Sequence, residues 1–153
     1  MRATSAANYF SGELTVLRTG SDGALLPGVT TPLPGPDGTE YPGPIGIRQE
    51  GPHAHCFHPD PGSQYAFAAD LGSDEVVVVF VDAKSGKVSV TDRMATPPGT
   101  GPRHCALSLD RTHLYVVRLL IQPFLTCVHA DQQSMCVCVC VSVSVSVSVS
   151  VCV

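Results

Sequence analysis

Charged residues are scarce in this sequence, and the basic ones are scattered singly. Asp, Glu, Lys and Arg make up 14% of the 153 residues, and the formal net charge is −4. A nucleic-acid-binding protein needs a basic stripe that neutralises phosphates, and the sequence has no such stripe. We therefore expect no nucleic-acid partner.

An apolar run at the start of the chain is also missing. The first seven residues, MRATSAA, lack the apolar core of a secretory signal, and a strand pattern begins at Ala7. This predicts a cytoplasmic chain, or one whose true N-terminus is missing. The C-terminal Val/Ser segment does not indicate a membrane span, because alternate serines halve the apolar content that a span of about 20 residues needs.

Common cofactor and metal motifs are absent as well. No GxGxxG, P-loop, CxxC or HExxH pattern occurs in a suitable context, so we expect no cofactor. Two of the seven cysteines, Cys56 and Cys105, lie beside predicted strands, where small buried thiols in a reducing compartment are the simplest interpretation. The other five lie in an unusual C-terminal segment: Cys127, Cys136, Cys138, Cys140 and Cys152.

Glycine and proline are abundant, with 14 and 13 residues, which favours short strands and many turns. Alternating residues in 7–26 predict one three-strand meander, and residues 64–90 predict a second with the strands YAFAAD, VVVVFV and VSV. Residues 28–50 between them are rich in Pro and Gly, and we expect a long surface loop there. The predicted fold class is all-β.

A short motif occurs twice in the chain. GPHAHC at 51–56 recurs as GPRHC at 101–105, which places His55 and His104 49 residues apart, and each copy precedes a strand. A period near 50 in short antiparallel strands is typical of propeller blades, which bury their faces by stacking on one another. We therefore predict about two blades of an incomplete β-propeller.

The pattern changes at Arg118, after which strict Cys-Val and then Val-Ser alternation follows. DNA repeats of TG and GTGAGT type encode such dipeptides. We expect a partial propeller over 1–117 and a low-complexity tail over 118–153 that is disordered or foreign to the native protein. The competing interpretation is an aggregation-prone β segment.

Residues 48–82 and 97–117 resemble the lactonase-type seven-bladed propellers of the 6-phosphogluconolactonase family. The matching elements are Pro-His-x-His, Asp-Pro and Asp-Leu-Gly-x-Asp in the first stretch, and Gly-Pro-Arg-His in the second. The resemblance implies hydrolysis of a sugar lactone, 6-phosphogluconolactone, in the pentose phosphate pathway. Related fungal propellers cyclise carboxymuconates, and a cycloisomerase is therefore an alternative activity on the same fold.

The resemblance also implies a polar cluster at one mouth of the central channel. Its catalytic members here are His55 and Arg103, and its substrate contacts are His53 and His104. Lactone hydrolysis needs a base that activates water and a positive charge near the carbonyl oxygen, which a histidine and an arginine supply. The arginine can instead hold the substrate phosphate.

The three histidines around the first motif have other interpretations. His53 and His55 alternate as strand residues do, so together with His58 they are a candidate metal site, although no further ligand spacing supports it. Plain hydrogen-bonded turn histidines are the third interpretation.

The residues of the second motif, and those of the turn around Gly72, also have simpler structural interpretations. Arg103 can be a surface ion-pair partner, and His104 can be a packing residue. Asp70 and Asp74 flank Gly72, where aspartates stabilise turns, and we expect both to be structural.

The resemblance breaks after Val117. The family pattern continues Val-Val-Asn-Glu, with the glutamate part of the site, whereas Arg118 and Leu119 follow here. A further arginine from a later blade is also missing. We therefore expect this chain by itself to be inactive, and a non-catalytic propeller fragment or binding module is the alternative function.

Overall fold

The computed structural model describes residues 2–35, 43–119, 126–130 and 135–139. All regular secondary structure within these residues is β, and no helix among them is long and apolar enough to cross a membrane. The strands are β1 Arg2–Asn8, β2 Glu13–Thr19, β3 Leu25–Pro32, β4 Ala54–Pro59, β5 Tyr65–Asp70, β6 Glu75–Val81, β7 Val88–Ala95, β8 Pro102–Leu107, β9 His113–Arg118, β10 Thr126–Ala130 and β11 Met135–Val139.

These strands form three sheets. The first has the order β1-β2-β3, the second β4-β5-β6-β7, and the third β10-β11-β9-β8 with β11 parallel to β9. The leading strands of the sheets lie side by side, because β1 packs beside β4 and β4 beside β8. Successive antiparallel meanders stacked in this way are the architecture of propeller blades, which confirms the predicted all-β fold.

The second sheet is buried on both faces. Ala66 and Ala68 of β5 belong to a core cluster shared with the first sheet, whereas Phe67 between them packs in a cluster shared with the third. A sheet covered on both sides needs apolar residues at every position, and the run Val76–Val79 in β6 meets that need. Each fully buried side chain of this kind contributes about 1.5–3 kcal/mol.

Part of the predicted loop over 28–50 is a strand. β3 continues to Pro32 and pairs with β2 through Val29 opposite Val16 and Thr30 opposite Thr15. Most of β3 is exposed, and it lies at the edge of its sheet. An edge strand without a buried face has no apolar alternation, and this is why the pattern did not reveal it.

The predicted boundary at 117/118 falls within β9, which ends at Arg118. β10 and β11 lie in the segment predicted as a tail, and the other residues after 119 lie outside the described part of the chain. The division into 1–117 and 118–153 stays a prediction.

The turn between β5 and β6 fixes the backbone in front of β4. Asp70 Oδ1 accepts the backbone N–H of His53 at 2.7 Å and that of Gly72 at 2.9 Å, and Leu71 N–H donates to the His53 carbonyl at 3.0 Å. A Cβ atom on Gly72 would overlap the carbonyl oxygen of Gly51. This turn therefore packs closely against the segment that contains His53. Asp70 has the structural role that the sequence predicted.

Candidate active site

A β-bulge at the start of β4 contains one predicted catalytic residue. Ala54 pairs with Asp70 and Cys56 pairs with Ala69, so His55 is the extra residue on β4. A bulge interrupts the alternation of side chains and redirects the extra one. The candidate metal site assumed that His53 and His55 share a face of a regular strand, and this assumption is wrong.

A second bulge at the start of β8 contains the other predicted catalytic residue. Pro102 pairs with Arg118 and His104 with Val117, which leaves Arg103 as the extra residue. The bulges thus make Arg103 the structural equivalent of His55, 48 residues away, whereas the sequence motif had matched His55 with His104. Equivalent bulges on neighbouring sheets bring the two side chains together.

His55 and Arg103 form a direct hydrogen bond. Nε of Arg103 donates to Nε2 of His55 at 3.2 Å, which requires that Nε2 carries no proton. Burial first, and then the electrostatic influence of Arg103, His104 and Arg48, lowers the pKa of His55 below its ordinary value of 6.5. His55 is therefore a neutral base at pH 7, held by a cation.

Tyr9, in the turn between β1 and β2, connects this cluster to the first sheet. Its ring stacks on His53 with centroids 4.4 Å apart and meets the His55 ring edge-on at 5.4 Å. Its hydroxyl accepts a hydrogen bond from Nε of Arg48 at 3.4 Å. Sequence reasoning missed Tyr9 and Arg48 as site residues, because they come from two other loops and share no motif with the histidines.

His53 is only 5% exposed and is held from two sides. Nδ1 lies 3.0 Å from the Tyr9 carbonyl oxygen, and Nε2 lies 3.3 Å from Oε1 of the exposed Glu50. The second contact does not meet the geometry of a hydrogen bond, and it is an ion pair only when His53 is protonated. A backbone hydrogen bond first, and the approach of His53 second, lower the pKa of Glu50. The role of His53 as a substrate contact stays a prediction.

His104 is exposed, so the interpretation of this residue as a packing residue is wrong. Its ring meets the ring of His55 edge-on at 5.2 Å, which places it at the open side of the cluster. Cys105, which follows it, is buried as expected.

The described residues do not form the candidate metal site. His58 lies near the end of β4 opposite Phe67, away from the bulge that carries His55. Within the described part of the chain, no three His, Cys, Asp or Glu side chains come close enough together to hold a metal ion.

Arg118 and Leu119 stand where the resemblance implied Asn and Glu. Arg118 pairs with Pro102 as Asp70 pairs with Ala54, so a cation occupies the position that an acidic residue has in the second sheet. Arg118 is 5% exposed, and burial lowers its pKa. The described residues thus provide no carboxylate at the position of the implied glutamate.

Asp74 secures the connection that leads to the second bulge. It has a left-handed backbone with φ 57°, and its carboxylate accepts the N–H groups of Gly99 at 2.6 Å and Gly101 at 2.8 Å. Asp74 is structural, as predicted, but its carboxylate bonds a segment 25 residues and more away in the sequence.

Asp74→Ala is expected to lower the free energy of unfolding by about 3 kcal/mol or more, because two buried hydrogen bonds to a charged group are lost. Urea denaturation followed by circular dichroism measures this. The control is Asp22→Ala, which removes one exposed turn contact to Ala24 N–H, and we expect it to cost less than about 1 kcal/mol. Equal losses in the two variants would contradict the anchoring role of Asp74.

Comparison with known protein families places the chain directly. The family described as "Lactonase, 7-bladed beta-propeller" matches residues 2–133. The chain belongs to this lactonase family. Its three sheets are therefore parts of consecutive blades, and the predicted incomplete seven-bladed propeller is confirmed.

Two solved structures resemble this lactonase-family chain. A Bacteroides fragilis protein described as a "putative 6-phosphogluconolactonase" is 28% identical, with a TM-score of 0.69 over 89% of this chain and 38% of its own. The periplasmic gluconolactonase of Pseudomonas aeruginosa is 26% identical, with a TM-score of 0.67 over 90% of this chain and 38% of its own.

Curated relatives match a shorter stretch. A "Probable 6-phosphogluconolactonase" of Arthroderma benhamiae is 39% identical over 77 residues, which are 49% of this chain and 19% of that protein. An uncharacterised Staphylococcus saprophyticus protein is 36% identical over 81 residues, 53% of this chain and 23% of its own. The chain thus spans about a fifth of the length of these curated relatives, and under two fifths of the solved structures.

Proposed function

We propose that the cluster around His55 and Arg103 binds a sugar lactone that carries an anionic group, and that the lactonase propeller hydrolyses its ring ester as in 6-phosphogluconolactonases of the pentose phosphate pathway. One observation carries this proposal: two equivalent bulges bring His55 Nε2 and Arg103 Nε within 3.2 Å. The names of the Bacteroides and Arthroderma relatives support the substrate class.

His55 is the proposed general base. Hydrolysis starts when water attacks the lactone carbonyl, and a base must take a proton from that water. The free electron pair of neutral His55 lies on Nε2, which accepts the Arg103 N–H in the structure. A substrate anion that draws Arg103 towards itself frees Nε2 for the attacking water, so binding activates the base.

Arg103 is the proposed partner of the substrate anion. Its bond to His55 uses one of the five guanidinium N–H donors, and the others suit an oxyanion or a bidentate phosphate contact. Arg48, which also acts on the His55 pKa, adds a second positive charge. A comparison of a phosphorylated lactone with the neutral gluconolactone separates the oxyanion contact from the phosphate contact. A phosphate contact affects only the phosphorylated lactone.

A binding module without turnover is the second candidate function. Leu119 stands where the resemblance implied a catalytic glutamate, and this observation favours binding over chemistry in this chain. We therefore expect the 153-residue chain to bind the ligand but to be inactive on its own.

Calorimetric titration of the chain with 6-phosphogluconate, the product of the proposed reaction, tests both candidates. Hydrolysis of 6-phosphogluconolactone above the spontaneous rate is measured in parallel, and a carboxymuconate substrate tests the cycloisomerase alternative. Binding with turnover supports a lactonase, and binding without turnover supports the module. A folded chain that neither binds nor hydrolyses would overturn the proposed function.

We also propose a cytoplasmic location. Cys56 and Cys105 are both free thiols in the structure, which suits a reducing compartment. The structural relative from Pseudomonas aeruginosa is named as periplasmic, so the fold by itself does not fix the compartment. Fractionation of cells that express the native gene tests the location.

Acid is expected to destabilise the protein through His55. The pKa of His55 is below 6.5 in the folded protein, so the unfolded chain takes up a proton first as the pH falls through 6.5. The free energy of unfolding therefore decreases as the pH falls through 6.5. His55→Gln removes this difference, and its urea midpoint is expected to fall less than that of the wild type between about pH 7.5 and about pH 5.5.

The matched control for this measurement is His113→Gln, which removes a histidine on β9 outside the cluster. We expect it to keep the pH dependence of the wild type. The same pH dependence in wild type and His55→Gln would show that His55 is not the group whose pKa burial lowers.

A further inference from the structure

Two cysteines lie against each other across the boundary between the second and third sheets. The Sγ atoms of Cys56 on β4 and Cys105 on β8 are 3.1 Å apart, and both thiols are free. A disulfide bond brings two sulfur atoms to about 2.05 Å, so bond formation here requires a closure of about 1 Å.

The bulges explain why these thiols meet. The first residue after the bulge is Cys56 in β4 and His104 in β8, because these residues form the next cross-strand pairs. Successive residues of a strand point to opposite faces, so Cys105 faces the opposite way from His104. Cys56 therefore faces the third sheet while Cys105 faces the second, and both pack in the cluster that contains Phe67.

The environment divides the two thiols into an attacking and a resolving partner. The hydrogen bond from the Cys105 thiol, together with its backbone N–H at 3.4 Å, lowers the pKa of Cys56 to about 7, although burial opposes this shift. The contact with Cys56 and burial raise the pKa of Cys105. Cys56 is also the more exposed of the two, and an exposed thiolate is the form that reacts with oxidants.

We propose that Cys56 and Cys105 form a reversible disulfide between neighbouring blades by exchange with a small-molecule disulfide. The Cys56 thiolate attacks one sulfur of the oxidant and releases the first thiolate. Cys105 then loses its proton to solvent, and its thiolate attacks the Cys56 sulfur of the mixed disulfide and releases the second thiolate. The two protein thiols are oxidised by two electrons while the oxidant is reduced to two thiols.

The bond would join two strands that have no backbone pairing with each other, since β4 and β8 belong to different sheets. It would cross-link them next to the bulges at His55 and Arg103. We expect the oxidised chain to unfold at a higher urea concentration than the reduced chain, because the link constrains the unfolded state.

The test treats the folded full chain with oxidised glutathione, blocks the remaining thiols with N-ethylmaleimide, and maps tryptic peptides by mass spectrometry. Trypsin leaves Cys56 in peptide 49–84 and Cys105 in peptide 104–111. We expect these two peptides to be joined in the wild type, and dithiothreitol to separate them. A background variant with serine at the five C-terminal cysteines removes competing pairs.

Single variants test the two roles. In Cys105→Ser we expect a stable glutathione adduct on Cys56, whereas in Cys56→Ser we expect Cys105 to gain no adduct in the folded protein. Glutathione adducts on both residues of the wild type without a joined pair would overturn the proposal. A joined pair that forms equally well in urea-unfolded chain would also overturn it, because the folded contact would then play no part.

Discussion

The Arg103→Ala variant is expected to bind 6-phosphogluconate about 100-fold more weakly than the wild-type chain, since a charge-assisted contact to a phosphate contributes up to about 3 kcal/mol. In the structure Arg103 is already positioned by its bulge and by the hydrogen bond to His55 Nε2. Isothermal titration calorimetry measures the change directly.

Arg111→Ala is the matched control for this variant. Arg111 lies in the turn between β8 and β9, where it bonds the Pro61 carbonyl oxygen and lies 3.6 Å from Asp60 Oδ1. The Arg111→Ala variant removes the same charge from the third sheet at a position outside the cluster. We expect its affinity for 6-phosphogluconate to lie within about twofold of the wild type. If both variants lose the same affinity for 6-phosphogluconate, Arg103 makes no specific contact with the ligand and contributes only a general attraction of anions.

Gly72→Ala is expected to lower the free energy of unfolding by about 3 kcal/mol or more, because overpacking against backbone cannot be relieved by a side-chain movement. The added Cβ would overlap the carbonyl oxygen of Gly51 and press on His53 N. Both the Asp70 hydrogen bond to His53 and the turn itself would have to shift. Urea denaturation, or the soluble yield if the variant does not fold, measures the loss.

Gly51→Ala is the control on the other side of this contact. A Cβ at Gly51 meets no atom within 4 Å, so we expect a change of less than about 1 kcal/mol. If Gly72→Ala is as stable as Gly51→Ala, the close approach of the two segments does not exist in solution.

The buried centre of the fold was predictable from the sequence. The strand over Tyr65–Asp70 was predicted with its observed bounds, and the run VVVVFV was predicted as the strand that forms most of β6. β3 was missed after Leu26, because its side chains are mostly exposed and pairing with β2 holds it in place.

The site was predictable in its residue types but not in its geometry. Motifs identified His55 and Arg103, yet they matched His55 to His104, because two residues separate the Gly-Pro pair from the bulge in the first copy and none does in the second. A bulge leaves no periodic signal, since its position depends on how the neighbouring strand pairs. Tyr9 and Arg48 reach the cluster from other loops, and only the packing of the first sheet against the second brings them there.

The central claim is that paired bulges hold His55 as a neutral base against Arg103, ready for an anionic lactone. The most direct measurement is nitrogen-15 NMR of the histidine rings of the full chain, with and without 6-phosphogluconate. We predict that at pH 7 the Nε2 atom of His55 carries no proton, and that ligand binding shifts its signal in the wild type but not in Arg103→Ala. A protonated His55 Nε2, or a signal that the ligand leaves unchanged in the wild type, would contradict the account.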